Sequence, residues 1–476
     1  MIKRIYAVLL ILLITLWAAS MGTAEGRARE TDGLFDRREN IVIWYTDDAL
    51  SDYLAAEALH YYEENNVRVT PVLVSGLQYL EQIHDAQLMG EGAPDLYIVS
   101  NDVLEKAYLS GLAAEIEDPE GLVNESHFST VALEAETYQG KLLGYPLYFE
   151  TSVFLYNETY LTAMAQKAIE AERNAAEGEA AMEMVEAAQS DEELEALAAS
   201  AAAEGAGAAI TPEEIAAKKR ELLPTTMEGI LNFAAEYDAS ETGEAVFKWD
   251  VSDIFYNYFI VGDSISVGGQ NGDDPAQIDI CNPSSIECMT LYQQLNQFFS
   301  IDTKAVTYDS VLAEFMEGKI VFTVATTDAI EKLEKAKQDG SFVYDYAVAP
   351  IPEVSDVLAS KSLSVTNGVV INGLSEKQEL ANSFATYLLE NQTVDFYTTT
   401  GKIPSRQDIT YENPAVTAAV TEYANSVPIP KMMQTAHFWA QLEIAFTKIW
   451  TGSDVTETLT QLQQGFLQQP LGNSFE

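Results

Sequence analysis

The sequence predicts an α/β fold in two parts, each a mostly parallel sheet flanked by helices. Strand-like and helix-like segments alternate from Asn40 to Val99, which is typical of a parallel sheet with helices on its faces. The stretch Gly140–Asn157 is an apolar and aromatic run that is interrupted at Pro146 and again at Glu150. A proline argues against one central strand, so we expect two short strands joined end to end at Glu150. The chain would leave one sheet and enter another there.

The first part of the chain supplies three predicted strands and two helices. The strands are Asn40–Tyr45, Arg68–Val74 and Asp95–Val99, and the helices are Tyr53–Asn65 and Leu77–Met89. Ligands of such sheets bind beyond the carboxyl ends of the strands. The side chains at the ends of the first and third strands are therefore candidates for ligand contact: Tyr45, Asp47, Asp48, Asn101 and Asp102.

The residues of Gly140–Asn157 also carry a family resemblance. The pattern Gly-Lys-Leu-x-Gly-Tyr-Pro-x-x-x-Glu-x-x-x-x-x-Tyr-Asn resembles the lobe crossing of extracellular solute-binding proteins of the maltose-binding class. Those proteins are the capture subunits of ABC sugar importers. The resemblance extends over most of the chain from about Asn40 and implies a two-lobe, type II periplasmic-binding-protein fold. It also implies carboxylates on sugar hydroxyls at Asp48, Asp102 and Glu150.

Three neighbours of these carboxylates depart from the family pattern. The family's basic residue beside the first carboxylate is Ala49 here, its arginine beside the second is Val103, and its tryptophan near the second strand end is Val99. The resemblance therefore does not imply maltose itself as the ligand.

The second lobe supplies further candidates through the resemblance. The aromatic segment containing Trp249 and Tyr256 corresponds to a family segment that contacts sugar. The strand end at Thr327 and Asp328 lies where the family has Asn-Gly-Pro-Trp. Trp439 lies near where the family contributes aromatic contacts. The candidates are Trp249, Tyr256, Thr327, Asp328 and Trp439. Core packing is the alternative for the aromatic residues, and helix capping is the alternative at the strand end.

The segment Leu161–Leu223 has a different composition from the rest. It is rich in Ala and Glu and contains no Cys, Trp, Tyr or Phe, which favours helix. Thr211–Glu214 is a predicted helix start. We expect an inserted helical hairpin or partly disordered appendage, either a solvated spacer or a docking arm for a partner. The family has only a short connection here, before a motif that survives as Pro224–Glu228.

The start of the chain predicts export. Met1–Ala24 has the charged, apolar and small-residue order of a secretory signal, and its apolar run is short for a membrane span. No cysteine follows the apolar run, so a lipoprotein anchor is not expected. The segment is then a cleaved signal or a retained anchor of an extracellular or cell-surface protein. For an exported chain, the spacing of Cys281 and Cys288 permits a disulfide, with two free thiols as the alternative.

The charge excludes several partners. The 476 residues include 74 acidic side chains and 26 Lys and Arg, for a net charge of −48. Nucleic acid and anionic lipid are bound by clustered Lys and Arg, so this surface disfavours both. Solubility and the steering of cationic ligands both remain open as roles for the charge. The two cysteines and four scattered histidines show no zinc spacing, and neither a metal nor a cofactor is predicted.

These observations give a domain plan and a function. The plan is a signal or anchor (1–24), a linker (25–39), a first lobe (40–148 and 361–405) and a second lobe (149–360 and 406–476) containing the insertion 161–223. The resemblance implies a monomeric, non-enzymatic subunit that captures a carbohydrate between its lobes and delivers it to an ABC permease in the membrane. The alternatives are an interaction or scaffold protein acting through the insertion, and a glycoside hydrolase. Motifs of nucleophilic, zinc-dependent or phosphate-binding enzymes are not present in the sequence.

Overall fold

The structure is a computed structural model that describes residues 39–90, 92–118, 121–187, 209–236, 245–433 and 438–467. The predicted export signal and nearly all of the predicted linker lie outside the described residues. Within those ranges, no helix has both the length and the apolar character needed to cross a membrane.

Strands and helices alternate over much of the chain. The strands are β1 (Asn40–Tyr45), β2 (Arg68–Leu73), β3 (Leu96–Ser100), β4 (Thr137–Tyr138), β5 (Lys141–Leu142), β6 (Gly144–Asn157), β7 (Ala245–Phe247), β8 (Ser266–Val267), β9 (Ile278–Asp279), β10 (Ile320–Thr326), β11 (Tyr346–Ala349), β12 (Leu363–Ile371), β13 (Ile403–Pro404) and β14 (Val427–Pro428). The helices are α1 (Ser51–Asn65), α2 (Tyr79–Met89), α3 (Leu104–Leu109), α4 (Thr130–Ala135), α5 (Glu158–Ala187), α6 (Pro212–Leu222), α7 (Met227–Glu236), α8 (Pro283–Phe299), α9 (Tyr308–Met316), α10 (Asp328–Asp339), α11 (Gln378–Glu390), α12 (Val394–Thr400), α13 (Pro414–Asn425), α14 (Phe438–Trp450) and α15 (Val455–Leu467).

The sheet of the first lobe has the strand order β2-β1-β3-β12-β6. The pairs β1–β2 and β1–β3 are parallel, as the β-α-β-α-β alternation predicts, because each helical crossover returns the chain in the same direction. The return strand β12 runs antiparallel to both β3 and β6. The ends of β1 and β3 therefore lie at one edge of the sheet, where the predicted first-lobe site residues follow them.

Strand β6 carries the chain from the first lobe into the second. Its first half pairs with β12 as far as Thr151, and its second half pairs with β10 from Ser152 onward and with β11. The second-lobe sheet thus has the order β7-β10-β6-β11. The change of partner occurs one residue after Glu150.

The expectation of two short strands joined at Glu150 is wrong, because β6 is continuous over 14 residues. Pro146 is accommodated by an irregularity in the ladder, where the β12 register shifts between Asn367 and Gly368 opposite the proline. A bulge disrupts the regular pairing at this point, so the missing N–H of proline does not interrupt a regular ladder.

The Ala/Glu-rich segment is helical where it is described. Helix α5 continues directly from β6, and α6 begins at the predicted helix start with a capping box, in which Thr211 and Glu214 bond reciprocally. Three side chains at the start of α5 are buried in the core: Leu161, Ala165 and Ile169. The first turns of the predicted insertion therefore belong to the lobe, and any appendage begins further along the chain. Residues 188–208 lie outside the described residues.

The predicted disulfide is wrong, because Cys281 and Cys288 are both free thiols. The residues between them form the start of α8, with Asn282 as its N-cap, instead of a loop. Six residues of helical rise amount to about 9 Å, which exceeds the Cα separation of about 7 Å that a disulfide can bridge. The Cys281 sulfur lies 3.4 Å from the Thr460 hydroxyl and the Cys288 sulfur lies 3.0 Å from the Ser264 hydroxyl, so they face different neighbours.

Candidate ligand-binding site

Lys402 joins two of the predicted carboxylates. Its ammonium nitrogen lies 2.8 Å from the Asp47 carboxylate and 2.8 Å from the Glu150 carboxylate. The same nitrogen stands 5.6 Å from the centre of the Tyr148 ring, within the range of a cation–π contact. Burial opposes the charge on Lys402, but the two carboxylates outweigh it and raise its pKa. We call these four residues the Lys402 cluster.

The backbone explains how these distant residues meet. Asp47 follows β1 and caps a short 3₁₀ helix, its carboxylate accepting from the Ala49 N–H at 3.1 Å. Glu150 lies at the partner change of β6, and Lys402 directly precedes β13, which pairs with β6 beside Glu150. The cluster therefore lies at the edge of the first-lobe sheet where the chain crosses to the second lobe.

The carboxylates of the cluster remain accessible. The exposed fraction is 40% for the Glu150 side chain and 29% for the Asp47 side chain, against 20% for the Lys402 side chain. Glu150 has one carboxylate oxygen on Lys402, and its second oxygen has no hydrogen-bond partner in the described part of the chain. That oxygen is free to accept a hydrogen bond from a ligand.

A cavity of about 390 Å³ opens beside the Lys402 cluster. Its walls are formed at the carboxyl ends of β1 and β3, by the loop before α2, and by Asp47 and Tyr148 of the cluster. Residues of these walls include Thr46, Asp47, Gln78, Tyr79, Ser100 and Tyr148. The wall combines carboxylate, hydroxyl and amide groups with aromatic rings, which suits a ligand having both hydroxyls and apolar faces.

The other first-lobe candidates have different surroundings. The Tyr45 hydroxyl donates to the Ser51 hydroxyl at 3.0 Å, and the Ser51 hydroxyl donates to exposed Asp48 at 3.2 Å. Asp102 accepts a bond from the Ser100 hydroxyl, and burial raises its pKa. Asp48 and Asp102 thus retain acceptor capacity near the strand ends.

Asn101 has a connecting role in the structure. Its side chain is fully buried, its amide group donates to the Ile429 carbonyl at 2.7 Å, and its oxygen accepts from the Thr366 N–H at 3.0 Å. Both ends of the amide are therefore used to hold the end of β3 against β12 and the segment after β14. This placement favours a structural role for Asn101 over ligand contact.

A second cluster surrounds Asp328 in the second lobe. Asp328 accepts a hydrogen bond from the Tyr308 hydroxyl at 2.7 Å and another from Thr326, and its second oxygen lies 2.7 Å from the Lys332 ammonium. Tyr256 stacks on Tyr308 with ring centres 5.0 Å apart and planes 13° apart. Burial opposes ionisation of Asp328, but these donors outweigh it and lower its pKa. We call these five residues the Asp328 cluster.

The Asp328 cluster adjoins the crossing strand. Thr326 pairs with Ser152, two residues after Glu150, and the Thr327 N–H donates to the Thr151 carbonyl at 3.1 Å. Thr327 itself is buried, and its side chain makes no capping bond to α10. The two clusters therefore flank the change of partners on β6: Glu150 of the Lys402 cluster lies just before it, and Thr326 of the Asp328 cluster pairs with Ser152 just after it.

Two aromatic candidates differ in access. Trp249 is completely buried, donates its ring N–H to Asn257 at 2.9 Å and lies between Phe247 and Trp450 at ring distances of 4.5 and 5.6 Å. This placement favours the core-packing alternative for Trp249. Trp439 is half-buried at the start of α14 and leaves part of its ring accessible.

Sequence reasoning missed Lys402, Tyr148, Tyr308, Thr326 and Lys332 as members of these clusters. Lys402 is 252 residues from Glu150 in the chain, so no local pattern connects them. The available signal was that Lys402 is one of only 26 Lys and Arg residues in a chain with 74 acidic residues, so a carboxylate is its expected neighbour. Across the described ranges, no group of three or more His, Cys, Asp or Glu side chains could hold a metal ion.

Comparison with known proteins identifies the class. A family described as bacterial extracellular solute-binding protein matches residues 57–425. The chain belongs to this family. The match confirms the predicted solute-binding class, which comprises non-enzymatic transport components.

Individual relatives agree with this class. The maltodextrin-binding protein MdxE of Bacillus subtilis is 20% identical over 470 residues, covering 96% of this chain and 95% of the relative. The extracellular solute-binding protein of Staphylococcus aureus, solved in complex with maltose, is 19% identical with a TM-score of 0.67, covering 91% of this chain and 98% of that chain. A cyclo/maltodextrin-binding protein solved with maltotetraose is 18% identical with a TM-score of 0.67, covering 92% and 99%. These likenesses confirm the predicted two-lobe fold.

Proposed function

We propose that this protein is the extracellular binding subunit of an ABC importer and that it binds a sugar or oligosaccharide between its lobes. The observation that carries the proposal is that the Lys402 and Asp328 clusters flank the change of partners on strand β6, with Glu150 before it and Thr326 paired to Ser152 after it. Both clusters present charged acceptors beside aromatic rings. The hydroxyls of a sugar donate to charged acceptors, and the apolar faces of its rings pack on aromatic side chains. The relatives that bind maltose or maltotetraose support a carbohydrate as the ligand class.

The proposed site takes its residues from both lobes. The first lobe contributes the carboxylates of Asp47, Asp48 and Asp102, and Glu150 contributes its carboxylate from the crossing between the lobes. The second lobe contributes Tyr256, Asp328 and Trp439, with Thr327 as part of the backbone connection between them. The proposed lobes are 40–148 with 361–405, and 149–360 with 406–476, and the change of strand partners after Glu150 supports the first of these boundaries.

The proposed mechanism is closure around the ligand. A ligand that contacts both lobes binds the closed form better and shifts the population towards it. The closed monomer then presents its ligand to a permease in the membrane. The predicted export signal and the membership of an extracellular family support this location.

The test is a carbohydrate panel followed by one substitution. Ligand that binds only the folded protein raises its unfolding temperature, so thermal shift identifies a binding sugar. Glu150→Ala should then weaken binding by about 10- to 150-fold in titration calorimetry, because a charged hydrogen bond is worth roughly 1.5–3 kcal/mol.

Controls separate binding from folding. Glu125→Ala removes an exposed carboxylate elsewhere in the first lobe and should leave affinity unchanged. Because the pair of Glu150 with Lys402 is partly exposed, its loss should cost the ligand-free protein no more than about 1 kcal/mol. Unchanged affinity in Glu150→Ala would place Glu150 outside the site, and a large loss of stability without ligand would assign it a structural role.

A further inference from the structure

We infer that Lys402 is a specificity-determining residue: it occupies the place that a cationic sugar would take, and so it restricts the cleft to neutral ligands. The inference rests on the proposed function and goes further by naming the charge class of the ligand. It concerns a position that neither the strand-end pattern nor the crossing motif identifies.

The argument starts from the charge of the protein. With a net charge of −48, the surface attracts cations, and a cleft lined by carboxylates concentrates them further. Asp47 and Glu150 each lie 2.8 Å from the Lys402 nitrogen, so their nearest oxygens are at most 5.6 Å apart. Two ionised carboxylates at such a spacing form a good site for an ammonium group. Lys402 fills that site from within the protein.

The backbone holds Lys402 in this position. The following residues, Ile403 and Pro404, pair with β6. The preceding residue, Gly401, ends α12 with a φ of +70°. Its backbone packs closely on Glu331 of α10, since a Cβ added at Gly401 would lie 2.4 Å from the carboxyl carbon of Glu331. Lys402 is thus fixed between a strand pairing and a close contact with the second lobe. Its ammonium group is not readily displaced by a competing cation.

The chemical consequence is a difference in what each ligand gains. A hydroxyl can donate to the second oxygen of Glu150 while Lys402 stays in place, because a carboxylate accepts several bonds. An ammonium group would meet the charge of Lys402 at close range, and like charges in a partly buried site repel strongly. Removing the Lys402 charge therefore creates a place for cationic sugars, whereas a neutral sugar keeps its hydroxyl bond to Glu150.

The experiment compares matched sugars in wild type and Lys402→Met. The pairs are glucose with glucosamine, and cellotetraose with fully deacetylated chitotetraose, in which an amine replaces one hydroxyl on each ring. Calorimetry at about pH 6 keeps an amine with a pKa near 8 protonated. The ratio of cationic to neutral affinity should rise about 10- to 100-fold in Lys402→Met, as expected for the gain or loss of a charged hydrogen bond.

Two controls use the same chain. Lys304→Met removes an exposed lysine and changes the net charge equally, and its ratio should match wild type. Lys402→Arg keeps the charge and should keep the neutral preference. An equal shift in Lys304→Met would overturn the inference by assigning the effect to overall charge.

The outcomes distinguish the inference from the proposed function. A wild-type protein that binds the cationic member of a pair more tightly overturns the inference, whatever the variants do. If wild type binds no sugar of any panel, the proposed function is contradicted but the inference is not. The inference then still requires that Lys402→Met acquires binding of the amino sugars. If it acquires none, or if the ratio is unchanged, the inference is wrong.

Discussion

Replacing Glu136 by glutamine should remove a large part of the pH dependence of stability between about pH 5 and pH 8. The Glu136 side chain is fully buried, and neither carboxyl oxygen has a hydrogen-bond partner in the described structure. The carboxyl group packs on two glycines of neighbouring strands, where a Cβ on Gly144 or Gly368 would lie 2.0 or 2.4 Å from one of its oxygens. Burial raises the pKa of Glu136 to about 8, partly opposed by the ammonium of Lys431.

The direction and size of this change in the free energy of unfolding follow from proton linkage. The ordinary pKa is 4.5, so between about pH 4.5 and 8 the unfolded chain releases a proton that the folded protein retains. The stability contribution of Glu136 is therefore fully present below about pH 4.5 and is lost as the pH rises to about 8. A span of about 3.5 pKa units corresponds to roughly 5 kcal/mol. Burial lowers the pKa of Lys431 to about 8, so the contribution of Lys431 changes mainly above this window.

Urea unfolding of wild type, Glu136→Gln and the exposed control Glu125→Gln at about pH 5, 6, 7 and 8 measures the effect. The free energy of unfolding of Glu136→Gln relative to wild type should rise by several kcal/mol across this range, because the amide does not ionise. The control should stay parallel to wild type. A constant difference between Glu136→Gln and wild type would mean that the folded protein already holds an ionised Glu136, and the burial argument would fail.

Two further predictions concern the buried Trp249 and the helical insertion. Trp249→Ala should lower the free energy of unfolding by about 3–5 kcal/mol in urea titrations, because it empties a fully buried site; a small loss with weakened sugar binding would instead assign Trp249 to the ligand. Replacing residues 178–210 by a short Gly/Ser linker should leave sugar affinity unchanged in calorimetry, since the buried start of α5 is retained; lost affinity would give the insertion a part in the site.

Local elements were predictable because their signals are local. The first strand is observed at Asn40–Tyr45 as predicted, and the second ends one residue earlier than predicted, at Leu73. Apolar composition and turn residues decide such segments without reference to distant parts of the chain. The helix start at Thr211 was predictable for the same reason, since a capping box is contained within four residues.

The errors come from features that depend on distant residues. The proline in β6 is tolerated because the partner strand is irregular opposite it, and that property belongs to β12, more than 200 residues later. The spacing of Cys281 and Cys288 permits a clip only if the intervening residues form a loop, and the Asn282 cap makes them helical. The Lys402 cluster depends on a pairing between β13 and β6 that no single stretch encodes.

In the proposed mechanism, the distance of a ligand contact from the crossing decides whether that contact favours the closed form. Thr151 is fully buried, and its hydroxyl donates to the Leu363 carbonyl at 2.9 Å, so β6 and β12 meet where the chain changes lobes. A ligand bonded to Glu150 lies close to this meeting point and experiences little relative motion there. A ligand shifts a conformational equilibrium only through contacts that differ between the two states. Glu150 therefore contributes mainly affinity, and contacts that change as the lobes close have to supply the preference for the closed form.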